Sequence, residues 1–438
     1  MSPSAVNPTT VSGLTEAGIE HHIVEHPPSS ASNGPELAKL DASKLTTTFT
    51  TAPRPVPEPN SPEVLAQKVC TDHMITVSWT ADYGWHTPEL KPYGPLSLMP
   101  TASCLHYATE CFEGMKLYRG FDGKLRLFRP DRNAARLLTS ANRISLPPFD
   151  PAELETLVAK LCAVDGPKWL PAGSRAGQFL YIRPTFIADD EALGVNVPKR
   201  ALLYVIICNF PNLDKPTGSL ATPGLKLLAS RDDMVRAWPG GFGYAKLGAN
   251  YGPSLIAQGE ARARGFDQIL WLLGPDSLVT EAGASNFFVV WRAGGSDNNK
   301  LQLVTAPLDD RIILDGVTRR SVLELARTRL AGSGGWAGAD AAEETLEGLE
   351  IVERKFTMAE VEEAAAEGRL VEAFAAGTAF FIAPVGLIHF RGKDIEVPLA
   401  AGETGKYAHV IKTWLRNIMY GKESHEWARV VPDEGVEA

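Results

Sequence analysis

Cysteine is scarce in this chain and poorly placed for cross-linking. The five residues, Cys70, Cys104, Cys111, Cys162 and Cys208, are odd in number, widely spaced and never arranged as C-x-x-C. That excludes a disulfide-stapled fold, argues against a zinc site and fits a reducing compartment. A basic excess is also missing: 43 Lys and Arg stand against 52 Asp and Glu, a net charge of −9. No nucleic-acid or membrane partner is expected from such a balance. The longest nearly apolar stretches, 201–208 and 379–388, fall well short of the ~20 residues that cross a bilayer. Arginine is absent up to Thr51, where Lys39 and Lys44 face Glu16, Glu20, Glu25, Glu36 and Asp41. A mitochondrial presequence is Arg-rich and acid-poor, so the expected location is cytoplasmic, with mitochondrial as second choice. None of the nine histidines falls in a metal-ligand or nucleophile pattern, and no metal site is expected.

What is present is material for packed domains: 438 residues, 44% apolar, at roughly 100–200 residues per domain. Residues 1–60, rich in Ser, Thr, Pro and Ala without sustained period, read as a disordered tail. Residues 61–208 read as a smaller N-terminal α+β domain, with strands over 74–79, 125–128, 179–187 and 201–208 and helices over 132–138 and 151–162. Two prolines, two asparagines and a glycine in 209–218 mark an interdomain linker over 209–220. Residues 221–438 read as a larger domain that alternates element types. A helix over 254–264, strands over 268–273 and 287–291 and a helix over 318–330 are followed by a capping box, Thr357 to Glu360, opening another helix. The Gly- and Ala-rich stretch 331–341 reads as a surface loop. The expected fold class is mixed α/β and α+β in two domains.

The most informative segment surrounds Lys246, with Gly240, Gly241 and Gly243 before it and Gly248 after it. Glycine alone accepts positive φ without strain, so this backbone can close tightly around a bulky group. A lysine held there is a candidate imine-former, because burial lowers its pKa and only the neutral amine attacks a carbonyl. The same composition also fits a glycine-rich surface loop with a solvated lysine. Other segments decide between them.

The segment resembles the pyridoxal-phosphate lysine motif of branched-chain amino-acid aminotransferases, a family of fold-type IV pyridoxal-phosphate enzymes. Further stretches match in the family's order across roughly residues 70–420. The resemblance implies a small and a large domain with the cofactor between them. Val279 to Asn286 matches the stretch whose glutamate, here Glu281, pairs with the protonated pyridine nitrogen and keeps the ring electron-withdrawing. Tyr251 matches the tyrosine that contacts the cofactor's phenolate oxygen. Leu127-Phe-Arg129-Pro130 resembles the phosphate-binding arginine motif, and Arg offers two parallel bonds to such a group. Val317 and Thr318 open a helix, where N–H groups and the dipole stabilise phosphate. Gly377-Thr378-Ala379 resembles the family's Gly-Thr-Ala turn, offering a hydroxyl and N–H groups to phosphate or substrate carboxylate.

On the substrate side, the period of two in the strand around Phe179 puts Tyr181 and Arg183 on one face. The resemblance places both at the pocket wall, Arg183 facing the distal carboxylate of glutamate. Cys104 to Lys116 resembles a motif whose tyrosine and phenylalanine, here Tyr107 and Phe112, line the apolar side-chain pocket. Aromatic residues at such spacing also occur as plain core. Leu193-Gly-Val195 matches a loop that in the family reaches the partner subunit's site, implying a homodimer. Mammalian members carry a redox C-x-x-C shortly after the Gly-Thr-Ala turn; here the stretch 379–384 holds no cysteine, so thiol regulation at that place is not expected.

The implied reaction is transamination between L-leucine, L-isoleucine or L-valine and 2-oxoglutarate, with Lys246 as the catalytic base and acid. Two alternatives remain open. D-amino-acid or amine transaminases and aminodeoxychorismate lyase share the lysine and glutamate; Tyr107, Phe112, Tyr181 and Arg183 separate them by following the branched-chain pattern. A non-catalytic protein that retains the fold is the other, against which the intact lysine, glutamate and arginine speak.

Overall fold

The structure, a computed structural model, describes residues 36–211, 223–295, 300–332 and 345–433. The 1–35 part of the expected tail, residues 212–220 of the expected linker and residues 333–341 of the expected loop lie outside it. From Ala38 onward the chain forms one compact unit, built on two sheets.

The first sheet runs in the order Thr46–Thr47, Glu89–Pro92, Cys70–Thr80, Arg200–Cys208, Phe179–Ala188, Met115–Arg119, Leu125–Phe128, Ala428–Val431. Strand Arg200–Cys208 alternates buried and partly exposed residues along its length, the signature of a strand with one face on a core. Helices Pro130–Arg143 and Pro151–Trp169 supply that core with Leu137, Ala141, Leu154, Leu157 and Leu161. Both begin with proline at the first helical position, where its missing N–H costs nothing. The Asp150 carboxylate caps the second by accepting from the Ala152 N–H at 2.9 Å.

The second sheet runs Leu278–Ala282, Gln268–Leu273, Leu225–Ala229, Phe381–Phe390, Leu370–Gly377, Ser285–Arg292, Leu301–Thr305, Glu350–Glu353. The hairpin pairing Glu281 with Asn286 joins its first strand to its sixth, closing six strands into a ring. Helices Val317–Arg329 and Lys406–Met419 pack on the outside through Val322, Leu325, Ile411 and Leu415. The capping box is present: the Glu360 N–H reaches Thr357 Oγ1 at 3.2 Å and the Thr357 N–H reaches Glu360 Oε2 at 2.8 Å. The two sheets meet where Cys111 bridges Leu247 and the Phe112 N–H donates to the Lys246 carbonyl at 3.1 Å.

Two expected boundaries are corrected. Residues 38–60 are packed rather than tail: Leu40 and Ala42 are buried in the first core, and Thr46–Thr47 adds a parallel edge strand. Residues 50 and 54 are pinned by the Thr50 N–H on His73 Nε2 at 3.0 Å and the Arg54 N–H on Asp72 Oδ1 at 2.7 Å. The Arg54 guanidinium adds bonds to the Cys70 and Tyr93 carbonyls; all of these reach groups far along the chain and leave no local periodicity to read. At the other end, Ala428–Val431 pairs with Leu125–Phe128, so the C-terminal strand belongs to the first sheet and not to the larger half.

Candidate active site

A cavity of about 500 Å³ opens between the sheets, lined by Phe112, Tyr181, Arg183, Lys246, Tyr251, Glu281, Val317, Thr318, Thr378 and Ala379 among others. Eight of the expected side chains are therefore joined by the helix opening at Val317 and Thr318 in one place.

Lys246 is held by its backbone. Its N–H donates to Ser140 Oγ at 2.8 Å and its carbonyl accepts from Phe112. Gly243 lets the loop close, since a Cβ there would come within 2.1 Å of the Ile312 carbonyl oxygen. Gly240 turns the chain at φ +78°. The amine itself donates to Tyr251 Oη at 2.9 Å, and the Tyr251 ring packs on Phe112 with centroids 5.1 Å apart.

Glu281, 2% exposed, accepts at Oε1 from the Leu314 N–H (3.1 Å) and Asn286 Nδ2 (3.2 Å). Its Oε2 lies 2.8 Å from Arg236 Nε, yet it has no hydrogen bond of acceptable direction. The pair is a close charge contact that leaves a lone pair of this oxygen unused. Burial pushes the Glu281 carboxyl above its usual range, while Arg236 pulls it down.

The arginine expected at the phosphate is placed elsewhere. Arg129 sits in the left-handed region at φ +47°, before Pro130. Its guanidinium donates to Ser321 Oγ and Glu324 at 3.1 Å each and stacks over Trp427 at 4.2 Å. It does not line the cavity. Arg136, two helical turns on, does. Glu113 grips it from behind, accepting from Nε at 2.7 Å and Nη2 at 2.8 Å, and the Asp315 carbonyl accepts from Nη1 at 2.8 Å. Burial opposes the Arg136 charge, but Glu113 outweighs it and holds the guanidinium above its ordinary range. A signal was present in the sequence: Asn133, Arg136 and Ser140 form a polar stripe on the apolar face of helix Pro130–Arg143, and all three are buried.

Near Arg136, Val317 and Thr318 begin their helix after Gly316, which provides no side-chain cap. The first N–H groups of that helix are left for another acceptor. The Gly377-Thr378-Ala379 turn is fastened by buried Lys116, whose Nζ donates to the Ala379 carbonyl at 3.0 Å and lies between the rings of Phe179 (3.9 Å) and Phe381 (4.2 Å). Glu113, Lys116 and Asn286 lie inside the matched motif stretches and Arg236 outside them, but the roles of all four are visible only through these contacts.

Tyr181 and Arg183 share a face as expected, with Arg183 Nη2 donating to Tyr181 Oη at 3.3 Å. The Arg183 guanidinium lies 4.6 Å from the Phe112 ring, and its buried Nε has no partner. Tyr107 is not brought to the cavity. It ends the short helix Ser103–Tyr107 and is 39% exposed, because left-handed Ala108 (φ +49°) turns the next strand inward and leaves it outside. Leu193 and Val195 are likewise outside, 63% and 85% exposed. Among the described residues no helix is long and apolar enough to cross a membrane.

A lysine amine on a phenol, a buried carboxylate with a spare oxygen and an arginine near a bare helix start form an aminotransferase-like set, and comparison with known proteins agrees. Residues 110–333 match the family described as amino-transferase class IV. The cytosolic branched-chain-amino-acid aminotransferase of Saccharomyces cerevisiae is 48% identical over 402 residues, 91% of this chain and 99% of that one. The mitochondrial branched-chain-amino-acid aminotransferase of Schizosaccharomyces pombe is 43% identical over 402 residues, 91% of this chain and 87% of that one. Among solved structures, the branched-chain aminotransferase of Thermoproteus uzoniensis with norvaline superposes with a TM-score of 0.58 at 25% identity, covering 81% of this chain and 99% of that one. With identities this high over almost the whole length, the chain belongs to the branched-chain amino-acid aminotransferases of class IV.

Proposed function

We propose that this chain is a pyridoxal-phosphate enzyme that moves the amino group between leucine, isoleucine or valine and 2-oxoglutarate. The observation that carries the reading is the spare Oε2 of buried Glu281 in the same cavity as Lys246. A buried carboxylate oxygen without a directed donor is costly, and a protonated pyridine nitrogen is the donor that suits it. The cavity's other groups fit the rest of the cofactor. Arg136 and the N–H groups of Val317 and Thr318 would hold the phosphate, with Thr378 adding a hydroxyl, and Tyr251 would meet the phenolate oxygen. Arg129, at 2.9 Å from Glu324, holds helix Val317–Arg329 in place instead. The cofactor would lie between the 61–208 and 221–438 halves.

Pyridoxal phosphate, when bound, supplies the electron sink that makes the amino acid's Cα–H acidic. The remaining work falls to the chain. Lys246 Nζ takes the Cα proton as general base and gives it up as general acid, its position fixed by Tyr251 Oη. Glu281 keeps positive charge at the far end of the cavity. Phe112 and Tyr181 give the apolar side chain its wall, and Arg183, with its unpaired Nε, receives the second carboxylate of 2-oxoglutarate or glutamate. The Ala379 carbonyl is tied back by Lys116, which leaves the N–H groups of this turn for the substrate's α-carboxylate.

Tyr107, Leu193 and Val195 would complete the substrate side of a partner's cavity in a homodimer, and the acid-bearing, Arg-free N-terminal segment supports a cytoplasmic location. The test is an absorbance spectrum of the purified protein before and after L-leucine and then D-alanine. A visible cofactor band removed by L-leucine alone is expected. Removal by D-alanine alone would replace this reading with the D-amino-acid transaminases, and no band after adding pyridoxal phosphate would end it.

A further inference from the structure

One row of side chains crosses the first sheet away from the cavity. Lys116 is directly opposite Tyr181, and Tyr181 is directly opposite Cys208, on neighbouring antiparallel strands. Cys208 is in turn directly opposite Cys70. Residues so paired share a face of the sheet, so the row starts at the Ala379 turn, passes the cavity wall and ends on two free thiols.

The thiol pair occupies the close kind of antiparallel position. The Asn209 N–H donates to the Val69 carbonyl at 2.8 Å, one residue outside each cysteine, and that ladder bond flanks a non-hydrogen-bonded pair. Such pairs hold their Cα atoms about 4.5 Å apart with side chains at their nearest. A disulfide spans Cα separations of about 4.4–6.8 Å. Cys70 is buried and Cys208 partly exposed, so Cys208 is the more accessible of the two. The Tyr93 hydroxyl completes the cluster, pushed up to about 12 chiefly by its hydrogen bond with Cys70.

We propose that Cys70 and Cys208 form a reversible disulfide site that, when closed, throttles the substrate side of the cavity. With hydrogen peroxide as oxidant, the Cys208 thiolate attacks a peroxide oxygen, giving a sulfenic acid and releasing water once protonated. The Cys70 thiolate then displaces the second water from that sulfur as the S–S bond forms. Two thiols and one peroxide give one disulfide and two waters, and a dithiol reverses the change by exchange. Burial pushes the Cys208 thiol up to about 12, so closure is slow and answers sustained rather than brief oxidant.

The wall has little slack to absorb the change. Tyr181 pairs with Cys208, and Phe210, two residues further, stacks on the Tyr181 ring at 4.8 Å. Tyr181 Oη lies against Gly114, where a Cβ would come within 2.0 Å of it, and accepts from Arg183. Drawing the Cys208 side chain toward Cys70 acts on the residue opposite Tyr181, and through Tyr181 on Arg183, whereas Glu281 belongs to the other sheet and the helix at Val317 packs against that sheet.

The effect on substrates rests on the function proposed above; formation of the bond does not. Holoenzyme is treated with hydrogen peroxide, alkylated and mapped without reduction, and KM and kcat for L-leucine and 2-oxoglutarate are measured before oxidation, after it and after dithiothreitol. Expected are a peptide linked through Cys70 and Cys208, and a fall in kcat/KM of about tenfold, within the hundredfold that an ångström of misplacement costs. The cofactor band should be unchanged and dithiothreitol should restore activity. Cys70→Ser and Cys208→Ser should each lose both the link and the response. Absence of the linked peptide, a linked chain with unchanged kinetics, or inhibition that persists in both serine variants would overturn the proposal. A holoenzyme inactive before oxidation would instead count against the transaminase reading, and the peptide map would still decide the disulfide.

Discussion

The deep end and the mouth of the cavity are built on different terms. At the deep end, Glu281, Arg136 and Glu113 are buried and held by partners from the same chain, so their directions are set before any ligand arrives. At the mouth, Arg183 has one long hydrogen bond, to Tyr181 at 3.3 Å, and the expected substrate residues Tyr107, Leu193 and Val195 stand in solvent outside the cavity. The chemistry accounts for the contrast. On the proposed reading the deep end would meet one constant cofactor, where fixed dipoles and charges act without reorganising. The mouth must accept an aliphatic side chain in one half-reaction and a carboxylate in the other, which a rigid charge pair would obstruct.

The severest way to break the deep end is Lys246→Ala. It removes the amine proposed to carry the proton, and turnover should fall by at least about a thousandfold, with the visible cofactor band lost; an absorbance scan and an initial-rate assay check both. Glu281→Gln is the next largest. The cofactor should remain bound while kcat falls by about a hundredfold, the usual effect of removing one group aimed at developing charge. A kcat within threefold, a change of about 0.65 kcal/mol or less, would mean that the spare oxygen faces nothing.

Arg136, which lines the cavity, and Arg129, which does not, test the proposed split between a ligand-facing arginine and a structural one. Arg136→Gln should weaken pyridoxal-phosphate binding by about 10- to 100-fold, the 1.5–3 kcal/mol of a charged hydrogen bond. It should also destabilise the chain, by about 3–5 kcal/mol, because buried Glu113 keeps its bonds from Asn133 and the Gly114 N–H but loses its charge partner. Adding Glu113→Gln should recover stability but not affinity, a split that fluorescence titration and thermal unfolding resolve. Arg129→Gln should leave affinity within about twofold. At the mouth, Arg183→Gln should raise KM for 2-oxoglutarate by about tenfold, for one charged bond, and leave that for L-leucine nearly unchanged. Equal rises for both would place Arg183 at the α-carboxylate instead.

Sequence patterns reached the deep end better than the mouth or the edges, and the reasons differ by residue. Strands Leu125–Phe128 and Gln268–Leu273 and the Thr357 capping box follow local rules and stand where local rules put them. Lys246, Tyr251 and Glu281 sit inside short conspicuous motifs. Arg136 was overshadowed by Arg129, which stands beside a proline and looks special, yet its left-handed backbone sends it to Glu324 and Trp427. Residues 38–60 dock through isolated bonds such as Arg54 to Asp72, which have no period. Tyr107 was placed by its motif alone, and a motif does not report that Ala108 reverses direction. The Cys70 and Cys208 pairing depends on register between strands distant in sequence, which composition does not encode.

A second buried carboxylate, Glu372, sharpens what is special about Glu281. It stands on strand Leu370–Gly377 in the same sheet, but both its oxygens are taken: the Tyr407 and Ala408 N–H groups at the start of helix Lys406–Met419 donate to them at 3.0 and 2.7 Å. Burial nevertheless pushes its pKa from 4.5 up to about 7. Below pH 4.5 folded and unfolded chains are both protonated at this position. Between 4.5 and about 7 the folded chain keeps a proton that the unfolded chain has released, so stability falls as pH rises through this window, by up to about 1.4 kcal/mol per unit. Above it the contribution is flat. Glu372→Gln removes the titration while giving up one acceptor, at a cost of about 1 kcal/mol. The variant should therefore be less stable than the parent near pH ~5 and lose less stability on going to pH ~8, as thermal unfolding at the two values would show. Its kcat at pH ~8 should match the parent's, because a carboxylate with both oxygens engaged has nothing to offer the cavity. If kcat fell as it does for Glu281→Gln, a spare oxygen would not be what distinguishes a working carboxylate from a structural one in this sheet.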